Sequence, residues 1–87
     1  MKTYKLTVSS PDGTVFSENV VSIMLRGAGG DLAVMAGHTP FITSVKPCNI
    51  KIVLPDTTEK TACVDGGLLT VDTDKVSLLS GSFMWND

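Results

Sequence analysis

Nowhere in these 87 residues do apolar side chains recur at i, i+3, i+4 and i+7 over a sustained window, so almost no helix is expected. No stretch approaches the roughly 18 consecutive apolar residues of a membrane-spanning helix. The opening Met1-Lys2-Thr3-Tyr4-Lys5 leads into alternation rather than into the apolar run of a secretion signal. The chain is therefore expected in the cytosol, or at a membrane only through other subunits. Histidine occurs once, and the two cysteines, Cys48 and Cys63, stand far apart with no CxxC or HxxxH spacing, so neither a metal site nor a cofactor is expected. Without a secretion signal, free structural thiols are the better reading of that pair than a disulfide. No serine or cysteine motif brings a nucleophile to His38, which argues against catalysis. Seven basic residues against nine acidic ones give a net charge of −2 and no basic footprint, which excludes nucleic acid as a partner.

What the chain does have is apolar surface. Hydrophobic residues make up 43% and charged residues only 18%, and one small domain cannot hide all of that, so part of it is expected against a partner. Thr3 to Ser9 alternates with Tyr4, Leu6 and Val8 on one face, the mark of a half-buried strand. Ser10-Pro11-Asp12-Gly13 supplies a turn, and Thr14 to Phe16 starts a return strand. Val20 to Arg26 reads as one strand, apolar on both faces. Three glycines within Gly27-Ala28-Gly29-Gly30 could suggest a phosphate loop, but neither a helical pattern nor Lys-Ser/Thr follows, so a hairpin loop is expected.

The most informative run is Gly30 to Thr43. A short apolar strand, Leu32 to Met35, meets the loop Gly37-His38-Thr39-Pro40 and resumes as a strand at Phe41. Gly37 frees the backbone for φ > 0 and Pro40 fixes its own φ, so the loop is expected to be rigid and to present the single histidine. Beyond it come a turn at Lys46-Pro47-Cys48-Asn49, a strand at Ile50 to Leu54, a turn at Pro55 to Thr58, a weakly alternating Glu59 to Asp65, and a bend or bulge at Gly66-Gly67. Leu68 to Val71 and Lys75 to Leu79 form a last hairpin. Ser80 to Asp87 is either a final edge strand or a loose end with an aromatic anchor. Nine to ten short strands at this spacing predict an all-β, two-layer antiparallel β-sandwich in a single domain, 1–87.

Four blocks in order then resemble the N-terminal β-sandwich domain of the epsilon subunit of F-type ATP synthases. They are Tyr4 to Phe16, Gly30 to Thr43 (G-D-L-A-V-M-A-G-H-T-P-F-I-T), Val45-Lys46-Pro47 leading into Ile50-Lys51-Ile52, and Gly66-Gly67-Leu68-Leu69-Thr70-Val71 with Asp74 to Leu79. Ala33, Ala36, Cys48 and Thr70 depart from the family's usual residues. The resemblance covers the sandwich only, so the inhibition and ATP binding associated with the family's C-terminal helical hairpin are not expected of these residues.

The resemblance implies a non-catalytic rotor subunit that binds the gamma subunit and the polar loops of the membrane c-ring, couples proton translocation to ATP synthesis, and sits on the cytoplasmic face of the bacterial inner membrane. It implies an interface at Asp31 and His38, with Gly29, Gly30, Gly37, Thr39 and Pro40 shaping the surface. From the residues alone, Asp31 either closes its turn through its side chain or pairs with a basic loop, and His38 either stabilises its loop or meets a partner. Met24, Met35 and Val53 are either core or an apolar patch buried against gamma. Phe83 and Trp85 either pack back on the sandwich or hold a partner. The competing function is a free-standing small β-barrel that binds a peptide or small ligand along an edge strand or in a cleft.

Overall fold

The computed structural model describes residues 2–86, and among them it contains ten strands and no helix. These are β1 (Tyr4–Ser10), β2 (Gly13–Val20), β3 (Ser22–Gly27), β4 (Gly30–Met35), β5 (Phe41–Val45), β6 (Cys48–Val53), β7 (Glu59–Val64), β8 (Gly67–Val71), β9 (Lys75–Leu79) and β10 (Phe83–Trp85). The turns fall where glycine and proline put them: Gly30 and Gly37 take φ of 124° and 89°. Val20 to Arg26 is not one strand. Val20 ends β2 opposite Tyr4, and β3 begins at Ser22. Much of the second apolar face expected there belongs to another element, which leaves Met24 as its exposed apolar member.

All strands belong to one hydrogen-bonded ribbon, β10-β7-β6-β3-β5-β8-β9-β1-β2, with β4 on the other side of β3. The ribbon turns over at Lys46-Pro47, where the chain passes from β5, bonded to β8, into β6, bonded to β7. Strands that change layers at a bend are how such corners are made. Lys46 N–H fixes this one by donating to Arg26 O at 2.9 Å. The result is the expected sandwich: β4-β3-β6-β7-β10 forms one layer and β5-β8-β9-β1-β2 the other.

Two features lie beyond what alternation can say. First, β1 and β9 run parallel, from Lys5 opposite Lys75 to Ser9 opposite Leu79, while the other pairings are antiparallel. Second, the end strands of the ribbon meet through side chains. Phe16 of β2 and Trp85 of β10 stand edge to face with ring centroids 5.8 Å apart, Phe83 packs on Trp85 at 4.8 Å, and Lys60 Nζ lies 5.2 Å from the Trp85 ring centroid. The tail is thus an edge strand paired with β7 whose aromatics pack back on the sandwich, with Asp87 outside the described residues.

The interior is filled by one inward side chain in two from each layer: Leu6, Val8, Ile23, Val34, Ile50, Ile52, Leu69 and Leu78 are all sealed from solvent. Burying each contributes roughly 1.5–3 kcal/mol. Tyr4 spans the layers, and its phenol donates to Val34 O at 2.7 Å. Burial pushes the Tyr4 pKa well above its ordinary value, opposed by a smaller effect of the Ile23 backbone. Tyr4→Phe is expected to cost about 1–2 kcal/mol through the lost buried bond. The pH dependence follows from the raised pKa. An unfolded tyrosine releases its proton near pH 10 while the native one keeps it. The Tyr4 contribution is therefore complete below about pH 10 and is lost as pH rises beyond that value. Urea titrations of both proteins from neutral to strongly alkaline pH should show the alkaline loss of stability diminished in Tyr4→Phe.

Candidate functional site

Strand register sets out the two outer faces row by row. On the first layer the rows are Met35–Ser22–Val53–Glu59, Ala33–Met24–Lys51–Thr61, Asp31–Arg26, and Asn49–Cys63–Met84. Met24, Met35 and Val53 therefore form one patch on the outside. Met35 is 54% exposed while its neighbours Ile23, Val34 and Ile52 occupy the interior, so the core reading of the patch fails. This face also carries two ion pairs, Arg26 Nε to Asp31 Oδ1 at 3.0 Å and Lys51 Nζ to Glu59 Oε1 at 3.5 Å. A groove of about 690 Å³ runs across it, with Met24, Ala33, Cys48 and Asn49 among its lining. Arg26 and Lys51, the cations of that groove, already have carboxylate partners, so the groove lacks the convergent free polar groups a small ligand would require.

The outer face of the second layer escaped sequence reasoning. Its rows are Ile42–Thr70–Ser77–Thr7–Ser17, Ser44–Leu68–Leu79–Ser9 and, at one end, Lys75–Lys5–Asn19. Ile42 is 68% exposed and Leu79 53%, and with Leu68 they make a branched aliphatic patch bordered by hydroxyls and free of ion pairs. The signal was present in the doublets Leu68-Leu69 and Leu78-Leu79. In a strand, one leucine of each doublet must point outward.

The residues implied for an interface separate into two loops. Gly29, Gly30 and Asp31 lie at the β3–β4 turn, whereas Gly37, His38, Thr39 and Pro40 follow the other end of β4. The extended strand from Asp31 to Met35 alone puts roughly 13 Å between the two loops. The Asp31 side chain does not close its own turn. It binds Arg26 across the hairpin, and that hydrogen bond holds the Arg26 guanidinium above its ordinary pKa. His38 is exposed, with its ring tilted against Phe41 at 6.4 Å. Cys48 is half-buried and Cys63 exposed, both as free thiols. Among the described residues no three His, Cys, Asp or Glu side chains group as metal ligands.

A sandwich with two apolar patches on its outer faces matches a known family along nearly its whole length. Residues 3–86 fit the ATP synthase, Delta/Epsilon chain, beta-sandwich domain. The chain belongs to that family. The delta/epsilon sandwich is part of a non-catalytic accessory subunit of the ATP synthase, in keeping with the expectation that the domain is not an enzyme. Its fold is similar to that of a chain in the mitochondrial ATP synthase of Euglena gracilis, solved with OSCP, F1 and c-ring, at a TM-score of 0.90 and 21% identity, covering 95% of this chain and 53% of that one. It is similar also to a chain in the central stalk and c-ring of the Tetrahymena thermophila mitochondrial ATP synthase, at a TM-score of 0.77 and 13% identity, covering 95% and 66%. The delta/epsilon sandwich described here thus spans between half and two thirds of those chains.

Proposed function

We propose that this domain is a coupling piece of the ATP synthase central stalk, gripped by the gamma subunit on one face and meeting the polar loops of the c-ring at one end. In that role it passes the rotation driven by proton translocation toward ATP synthesis, performs no chemistry, and lies at the membrane only through its partners, on the cytoplasmic side of a bacterial inner membrane. The observation that carries the reading is the Ile42–Leu68–Leu79 patch: apolar and well exposed on a domain whose core is already full, with the lysines of its face, Lys5 and Lys75, confined to the end row. Interface centres are depleted in charge, which favours this face for gamma over the Met24–Met35–Val53 face with its two ion pairs. The Gly37–Pro40 loop leads directly into β5 and so continues the gamma surface with His38. The Gly29-Gly30-Asp31 turn, at the other end of β4, meets the ring.

Co-purification of the domain with gamma is the first test, and a domain that stays free overturns the reading. The ring contact is tested by Asp31→Arg. That change replaces an acidic side chain beside Arg26 with a second cation, and it is expected to weaken association with a basic ring loop while the isolated domain keeps its unfolding midpoint, because both side chains are largely exposed. Reconstituted membranes that retain full binding and proton pumping with Asp31→Arg would remove that residue from the ring contact.

A further inference from the structure

Four strands of the ribbon leave an edge without a full partner, and three of these edges are closed in other ways. β2 and β10 face each other across the Phe16–Trp85 contact. On β5, Pro40 offers no N–H at the start, and the Thr43 hydroxyl lies 3.1 Å from Ser44 O and 3.5 Å from Ala28 N. β4 has no such cover. It pairs with β3 alone, through six consecutive positions without a bulge. The direction of its outer groups follows from β3. Arg26 O points away from β4, since it accepts from Lys46 N–H on the opposite side. The Arg26–Asp31 pair is therefore one of the open pairs of the ladder, and alternation aims the N–H and C=O of Asp31, Ala33 and Met35 outward. None of these groups has a backbone partner beyond β3 among the described residues.

We infer that β4 takes an added strand: an extended segment of the gamma subunit whose main chain pairs with Asp31, Ala33 and Met35 and which carries an uncharged side chain beside Asp31, whose carboxylate stays with Arg26 and the ring, and an apolar one beside Met35. The inference rests on the gamma reading above and adds to it the form of the contact. Unpaired main-chain donors and acceptors in register are satisfied by another strand. Charge and size select which strand. A second copy laid antiparallel about Ala33 would set each Asp31 beside a Met35, and laid parallel would set Asp31 beside Asp31, whereas a foreign segment can match both ends. Arg26 neutralises the acidic side chain that would otherwise guard the edge, and Ala33 at the centre leaves room for a larger residue opposite. The edge also adjoins the Gly37–Pro40 loop, so it continues the proposed gamma surface.

Amide hydrogen exchange of the domain, free and in complex with gamma, tests this. In the free domain the Asp31, Ala33 and Met35 amides are expected to exchange fast and those of Leu32 and Val34 slowly. In the complex, exchange at the first three should slow at least tenfold. Ala33→Pro, which removes one outward donor and no bond to β3, should weaken gamma binding at least tenfold, while Ala33→Val should not. A complex that forms without added protection of the three amides overturns the strand addition and leaves the gamma reading standing. Failure to form any complex overturns both. Protection that appears with rising domain concentration in the absence of gamma overturns the inference in favour of a second copy.

Discussion

A single methyl group added at Gly67 is expected to cost this domain about 3 kcal/mol or more, at the upper end for overpacking. A Cβ there would overlap Leu79 O and lie 3.0 Å from Leu79 C, both backbone atoms. Leu79 cannot retreat cheaply, because it is held in register opposite Leu68 on one side and Ser9 on the other. The next residue is fixed as well: Ser80 is buried, with its Oγ 2.7 Å from the carbonyl oxygens of both Gly66 and Ser82. For a domain whose whole stability is on the order of 4–13 kcal/mol, a loss of this size is severe. Gly66→Ala is expected to cost less, about 1–3 kcal/mol, from its φ of 107° and a Cβ 2.9 Å from Val45 O. Gly29→Ala meets no atom within 4 Å and serves as the control, with an expected change within about 0.5 kcal/mol. Urea unfolding of the three variants should rank them in that order, and a Gly67→Ala domain as stable as the parent would show that the β8–β9 close approach is wrongly described.

The second large effect is on gamma binding. Ile42→Asp is expected to weaken the complex at least a hundredfold, about 2.7 kcal/mol, because it places a charge where an apolar contact would be desolvated. Met24→Asp, at the middle of the other face, is expected to weaken it less than tenfold. Both side chains are exposed in the free domain, so neither change should move its thermal midpoint appreciably. Titration calorimetry of the two variants against gamma separates the faces. The opposite order, with Met24→Asp the more damaging, would transfer gamma to the methionine patch.

Most of the strand and turn plan was legible in the sequence. Tyr4, Leu6 and Val8 announced β1 by alternation alone, and Gly30 and Gly37 marked turns that only a residue without a Cβ takes easily. What alternation cannot supply is which of two apolar sets faces inward. In β4 the hydrophobic residues Leu32 to Met35 run without interruption, and the interior is decided by what stands across the sandwich. Val34 is inside because the Tyr4 hydroxyl meets it there, and Met35 is left outside. The same limit hid Ile42, Leu68 and Leu79. The Asp31–Arg26 pair was invisible for a different reason. It depends on a turn length that puts residues 26 and 31 directly opposite, and the glycine-rich segment allows several. The distance between Asp31 and His38 follows from β4 lying straight between them, which a family resemblance does not convey.

The Phe16–Trp85 contact gives the molecule a built-in gauge. Everywhere else along the ribbon neighbouring strands are stitched by main-chain bonds, but here two ring edges hold the sheet shut. Trp85 is the sole indole in the chain, so its fluorescence comes from that join and from nowhere else. Twisting, clamping or swelling of the sandwich registers first in the light emitted by one residue, with no label attached.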